Sequence, residues 1–111
     1  MTSTLVLAYL SLTAPVAVRD ATVYADFFEG RRTADGTVYR HESDIAASND
    51  FPLGTRLVVR HEGREVRVTV RDRMHRRFTG RRIDLSGRAW RRLSGNRPPG
   101  VLRDAVVSKS P

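Results

Sequence analysis

"VTVRDRMHRRFTGRRIDLS", residues 68–86, is crowded with arginine yet keeps two carboxylates, Asp72 and Asp84. Leading into and through its start, Val66, Val68 and Val70 alternate with Arg67, Thr69 and Arg71. A period of two is that of a strand with one buried and one wet face, and it predicts Asp72 on the valine face, away from Arg71 and Arg73. Leu57 to Arg60 forms the outgoing arm of a hairpin that turns at Glu62 and Gly63. After the stretch, Ser86 is placed to cap a short helix, "GRAWRRL", that turns Ala89, Trp90 and Leu93 inward and ends at Gly95. "RPPG" then forbids regular structure before a last strand, Val101 to Ser108. Toward the N-terminus, "ATVYADFF" (Ala21 to Phe28) reads as a strand, "EGRRTADG" as a loop and "DFPLGT" as a turn. No internal repeat is evident. Many short strands with one small helix predict a closed β-barrel.

The 111 residues suffice for one core and one domain. The formal charge of +8 points to an anionic partner, such as nucleic acid, a teichoic polymer, acidic lipid or cell wall. Lys109 is the only lysine, and so strong an arginine bias also follows from a GC-rich genome. The absence of cysteine excludes disulfides, thiolate metal sites and a cysteine nucleophile. His41, His61 and His75 have no metal-ligand spacing, so no metal or other cofactor is expected. No apolar run reaches the roughly 20 residues of a membrane span. "LVLAYLSL" (Leu5 to Leu12) has the length of an export-signal core, but "MTST" lacks positive charge, and neither Ala14 nor Ala17 ends a good cleavage site. The other reading is an apolar strand that docks on a neighbouring chain. The expected division is an apolar segment over 1–20 and a barrel over 21–111.

Four blocks, "FFEGRRTADGTVY", "IAASNDFPLGT", "VTVRDR" and "GRRIDLS", occur in this order between Ala21 and Ser108. In them the chain resembles the double-psi β-barrel of rare lipoprotein A, related to the barrel of expansins. The resemblance implies a six-stranded, mainly β barrel with one or two short helices. It also implies lytic transglycosylase activity on peptidoglycan glycan strands stripped of stem peptides, in the cell envelope or after secretion. The acid of the family's "NDRGP" block falls on Asp72, and that of its "IDLS" block on Asp84. The family's histidine falls on Ser48, and "DRGP" has become "DRMH" at Asp72 to His75. Tyr24, Thr33, Ser48 and His75 are the expected substrate contacts, although Tyr24, like Phe28 and Tyr39, is as well suited to core packing as to stacking on a sugar.

Lytic cleavage needs an acid to protonate the leaving oxygen and a base for the sugar's own hydroxyl as the ring closes; one carboxylate can serve both ends. An acid at neutral pH needs a raised pKa, which burial supplies and arginine opposes. Structural roles compete: Asp84 could bind backbone N–H groups at the helix start, and Asp72 could pair with Arg76 or Arg77. A serine hydroxyl does not titrate near neutrality, so Ser48 is a poor shuttle; His75, beside Asp72, could replace the missing imidazole, as could a histidine restored at position 48. Two classes of function follow, a peptidoglycan-directed enzyme or a non-catalytic barrel in a larger assembly such as a bacteriophage virion, docked through residues 1–20. Between Arg56 and Arg92 cations outnumber Glu62, Glu65, Asp72 and Asp84, but no nucleic-acid motif accompanies them, and nucleic acid is set aside as a partner.

Overall fold

Six strands close into a barrel in a computed structural model that describes residues 16–111. They are β1 (Val16–Val23), β2 (Ile45–Ala47), β3 (Arg56–His61), β4 (Arg64–Asp72), β5 (Arg82–Leu85) and β6 (Leu102–Lys109), with one helix, α1 (Gly87–Ser94). Around the ring the order is β1-β5-β2-β4-β3-β6. The β1–β5 and β2–β4 pairs are parallel and the others antiparallel. Closure leaves no edge strand among the described residues. Ala21, Ala46, Leu57, Val70, Leu85 and Val107 meet inside with essentially no exposure.

The β3–β4 hairpin is as expected. Its loop places Glu62 at φ 47° and Gly63 at φ 80°, the doubly left-handed turn that matches strand twist. The helix also forms where expected. Ala89, Trp90 and Leu93 are buried, and the Trp90 indole N–H donates to the Arg97 carbonyl at 2.9 Å. Ser86 occupies the N-cap, but its hydroxyl donates to the Ser43 carbonyl instead of accepting from the helix.

The first strand departs from expectation. Instead of Ala21–Phe28 it runs Val16–Val23, and residues 16–19 pair with Ser108 to Ala105 of β6. Residues 16–20, grouped by sequence with the N-terminal segment, are therefore barrel. The rest of that segment, 1–15, lies outside the described residues. The last ladder bond runs from the Tyr24 N–H to the Leu85 carbonyl, and the strand stops where Asp26–Phe28 winds into a 3-10 turn.

A short repeat also emerges. "FEGRR" (28–32) and "FTGRR" (78–82) each follow a 3-10 turn, at Asp26–Phe28 and Arg76–Phe78. Phe28, Glu29 and Arg31 bond back to Ala25, Asp26 and Phe28, just as Phe78, Thr79 and Arg81 bond back to His75, Arg76 and Phe78. The ring order maps onto itself when β1-β2-β3 exchanges with β4-β5-β6. The two halves thus share strand order and turn geometry, although among the described residues only the second carries an α-helix, and too few residues carry the likeness for it to show as sequence periodicity.

Candidate active site

The strand registers bring the two acids into one row. Thr22 of β1 lies opposite Asp84 of β5, Asp84 opposite Ala47 of β2, and Ala47 opposite Asp72 of β4. Two strand spacings separate the acids, roughly 10 Å along the sheet, with the small Ala47 between them.

A bulge puts Asp72 there. Ala46 pairs with Val70, but the next residue, Ala47, pairs with Asp72, leaving Arg71 as the extra residue. Val70 and Ala46 point into the core, so Asp72 shares the opposite face with Ala47. The expectation that strict alternation would keep Asp72 on the valine face is corrected: the bulge turns it into a cleft. The Arg71 guanidinium reaches Asp35 at 3.4 Å, and that of Arg73, which lines the same cleft as Asp72, donates to the Ser48 and Phe51 carbonyls. No ion pair to Arg76 or Arg77 forms among the described residues. Neutral donors hold Asp72 instead: the Tyr24 hydroxyl at 2.8 Å on Oδ2, and the Ala34 and Arg73 N–H groups at 2.8 and 2.9 Å on Oδ1.

Asp84 sits in a different environment. Its Oδ1 accepts from the Thr22 hydroxyl at 2.7 Å, and it makes no ion pair or helix-capping bond among the described residues. Burial pushes its carboxyl above the ordinary range, opposed by Thr22 and Arg82 and reinforced by the nearby Asp72. The Arg82 guanidinium lies 4.0 Å from the centroid of the Phe78 ring. That contact holds the adjacent cation over an aromatic face.

Between the acids opens a cleft of about 240 Å³, walled by Phe28 and Phe78 of the two 3-10 turns together with Met74, His75 and Arg73. Among the described residues no cluster suited to a metal occurs, and no helix is long and apolar enough to cross a membrane.

The expected contact residues divide. Tyr24 lines the cleft but is buried: its ring stacks on Tyr39 at 4.1 Å and meets the edge of Phe28 at 5.6 Å. Both ring neighbours are protein side chains, and the Tyr24 hydroxyl is bonded to Asp72. Burial, then the Asp72 charge, pushes its hydroxyl above the ordinary tyrosine range and keeps it a donor. His75 lines the cleft, but its Nδ1 accepts the Arg77 N–H at 3.1 Å. In the neutral ring the proton is then on Nε2, which makes that nitrogen a donor and not a base.

Thr33 does not reach the cleft. Its hydroxyl lies 2.8 Å from Asp35 Oδ1 and 3.0 Å from the Thr37 carbonyl, folding the loop that presents the Ala34 N–H to Asp72. Hydrogen bonds led by those from Thr37 lower the Asp35 carboxyl to about 2, so this brace stays ionised. Ser48 also turns away: it is 2% exposed, and its Oγ accepts the Asp50 N–H at 3.1 Å. Ser48→His is therefore expected not to restore a proton carrier but to overpack a closed site. The expected cost is about 1–3 kcal/mol, read as a lower unfolding temperature without a gain in turnover.

Several residues were missed by sequence reasoning. Thr22 and Arg82 set the surroundings of Asp84, and Asn49 and Asp50 staple the altered loop after Asp72. Asn49 Oδ1 accepts the Met74 N–H, its Nδ2 donates to the His75 carbonyl, and Asp50 Oδ1 accepts the Gly80 N–H. Phe78 had a legible signal in the paired "FxGRR" motifs.

Comparison with known proteins agrees with this geometry. Residues 17–102 match the family described as "Lytic transglycolase". The chain is 37% identical over 89 residues to the Aquifex aeolicus "Probable endolytic peptidoglycan transglycosylase RlpA", covering 78% of this chain but only 36% of that protein. It is 41% identical over 81 residues to the Synechocystis sp. protein ssl3177, with 71% and 84% covered. Among solved structures, the Streptomyces papain inhibitor superposes with TM-score 0.68 at 27% identity, covering 87% of this chain and 96% of that one. A Clavibacter michiganensis expansin, 22% identical, shares the fold at TM-score 0.61 over 87% of this chain and 51% of its own. With six closed strands, the ordered blocks and a match spanning most of its length, the chain belongs to the RlpA-like lytic transglycolase family of double-psi β-barrels.

Proposed function

We propose that the cleft binds peptidoglycan glycan strands stripped of stem peptides and cleaves them lytically, with Asp84 as acid and Asp72 as base. The observation that carries this is the row Asp84–Ala47–Asp72: two carboxyls in unlike surroundings face one groove across a residue too small to fill it. Asp84, favoured in its protonated form by burial, gives its proton to the leaving glycosidic oxygen as the bond to the muramyl anomeric carbon breaks. The sugar's own hydroxyl then bonds to that carbon and yields its proton to Asp72, whose donors fix its orientation. Proton return from Asp72 to Asp84 through water completes the cycle. No histidine is needed on this route, which accommodates Ser48.

Family membership and the similarity to the Aquifex protein support the substrate class. Such a substrate places the working protein in the cell envelope or outside the cell. The assay is mass spectrometry of anhydro-ended products released from stripped strands. Their release by the unmodified protein is expected; retention of strands without products would leave a binding barrel.

The papain inhibitor supports a second reading, because this chain matches 96% of that protein as a single barrel. Inhibition of papain by a chain that releases no anhydro products would favour it.

A further inference from the structure

A second cavity, about 570 Å³, opens on a different part of the barrel, between α1 and the β3–β4 hairpin. Arg88, Arg91 and Arg92 line it from the helix. Their i, i+3, i+4 spacing makes one stripe, opposite the buried Ala89, Trp90 and Leu93. Arg64 closes it from the hairpin, and its position depends on Gly95: a Cβ there would lie 2.7 Å from the Arg64 Cζ. Gly95 also adopts φ 70° to end the helix, so one residue both terminates α1 and admits the guanidinium.

Four guanidiniums line the cavity with one carboxylate, that of Glu42. Arg91 pairs with Glu42, while Arg88 and Arg92 share Asp44 at 3.0 and 3.7 Å. Arg64 makes no ion pair among the described residues. The pairs are solvent-exposed and therefore weak, and a ligand able to bridge several guanidiniums can displace them. Among the described residues no aromatic side chain lines the cavity, so these residues offer a nucleobase nothing to stack on.

We infer that this cavity binds a phosphodiester polymer without bases, of the polyol-phosphate class, through Arg64, Arg88, Arg91 and Arg92. The site is independent of the acid cleft.

The test measures binding of the full chain to poly(glycerol phosphate) across a salt series, for the unmodified protein and for Arg64→Gln/Arg91→Gln. Arg56→Gln/Arg81→Gln, exposed arginines that do not line the cavity, is the charge-matched control. The cavity variant is expected to bind at least tenfold more weakly. Its log K against log salt should be shallower by about 1.5, as for two lost phosphate contacts, with the control close to the unmodified protein. Unfolding temperatures establish that both variants are folded, and Arg91→Gln alone, on the helix surface, should show a part of the loss. Binding and cleavage of stripped glycan should be unchanged in the cavity variant, which separates this site from the cleft. Equal losses in the control and cavity variants would overturn the inference, leaving only net charge. Tighter binding of single-stranded DNA than of the polyol phosphate would also overturn it, in favour of a nucleic-acid surface.

Discussion

Asp84→Asn is expected to abolish product release from stripped glycan while raising the unfolding temperature at neutral pH. The catalytic loss should be about 10²–10⁴-fold, the usual worth of a positioned general acid, because an amide has no proton to give the leaving oxygen. The gain in stability has a separate origin. Burial holds the Asp84 carboxyl above its ordinary range, so the folded chain keeps this proton to higher pH than the unfolded chain. Its stabilising contribution is full below the unfolded pKa and is lost as pH rises through the folded one. Asparagine keeps an oxygen for the Thr22 hydroxyl and carries no charge to desolvate. The difference in unfolding temperature should be near zero in acid and open as pH rises, reaching several degrees, since each unit of raised pKa corresponds to about 1.4 kcal/mol. Turnover of the unmodified protein should fall over the same interval. A variant that cleaves normally, or a temperature difference that ignores pH, would remove Asp84 from the role of acid.

At Asp72 the choice of substitution should separate two roles, one in stability and one in turnover. Asp72→Ala removes three hydrogen bonds at once: the buried Tyr24 hydroxyl is left unpaired, while the exposed Ala34 and Arg73 N–H groups turn to water. Leaving a buried donor unpaired costs about 1–3 kcal/mol, and the loop that Ala34 belongs to loses its anchor. A fall in unfolding temperature of roughly 10 °C or more is expected by calorimetry. Asp72→Asn keeps Oδ1 for both N–H groups, and the Tyr24 hydroxyl can turn to accept from the new amide. Its unfolding temperature should stay within a few degrees of the unmodified protein, yet its turnover should vanish, because the amide cannot take the sugar's proton. Equal stability of the alanine and asparagine variants would mean that Asp72 does not hold the loop.

The elements that rest on local chemistry were legible in the sequence. Valine alternation with a Glu-Gly turn specified β3 and β4, because strand period and a left-handed two-residue turn are properties of neighbouring residues. Ala89, Trp90 and Leu93 followed by Gly95 specified α1 for the same reason. The four ordered blocks pointed to the six-stranded barrel and to both acids. Tertiary structure alone decided where those acids face. Asp72 and Asp84 meet across Ala47 through a parallel pairing of β2 with β4 and an antiparallel pairing of β2 with β5, contacts between residues far apart in the chain. The bulge at Arg71 overrode the alternation that assigned Asp72 to the core. The start of β1 was likewise decided by its partner: residues 16–19 are strand because β6 supplies their hydrogen bonds. Ser48 and Thr33 occupy positions expected at the site, while their side chains turn to nearby backbone and loop partners. Side-chain direction depends on hydrogen bonds that exist only once the barrel has closed, and one-dimensional spacing does not carry it.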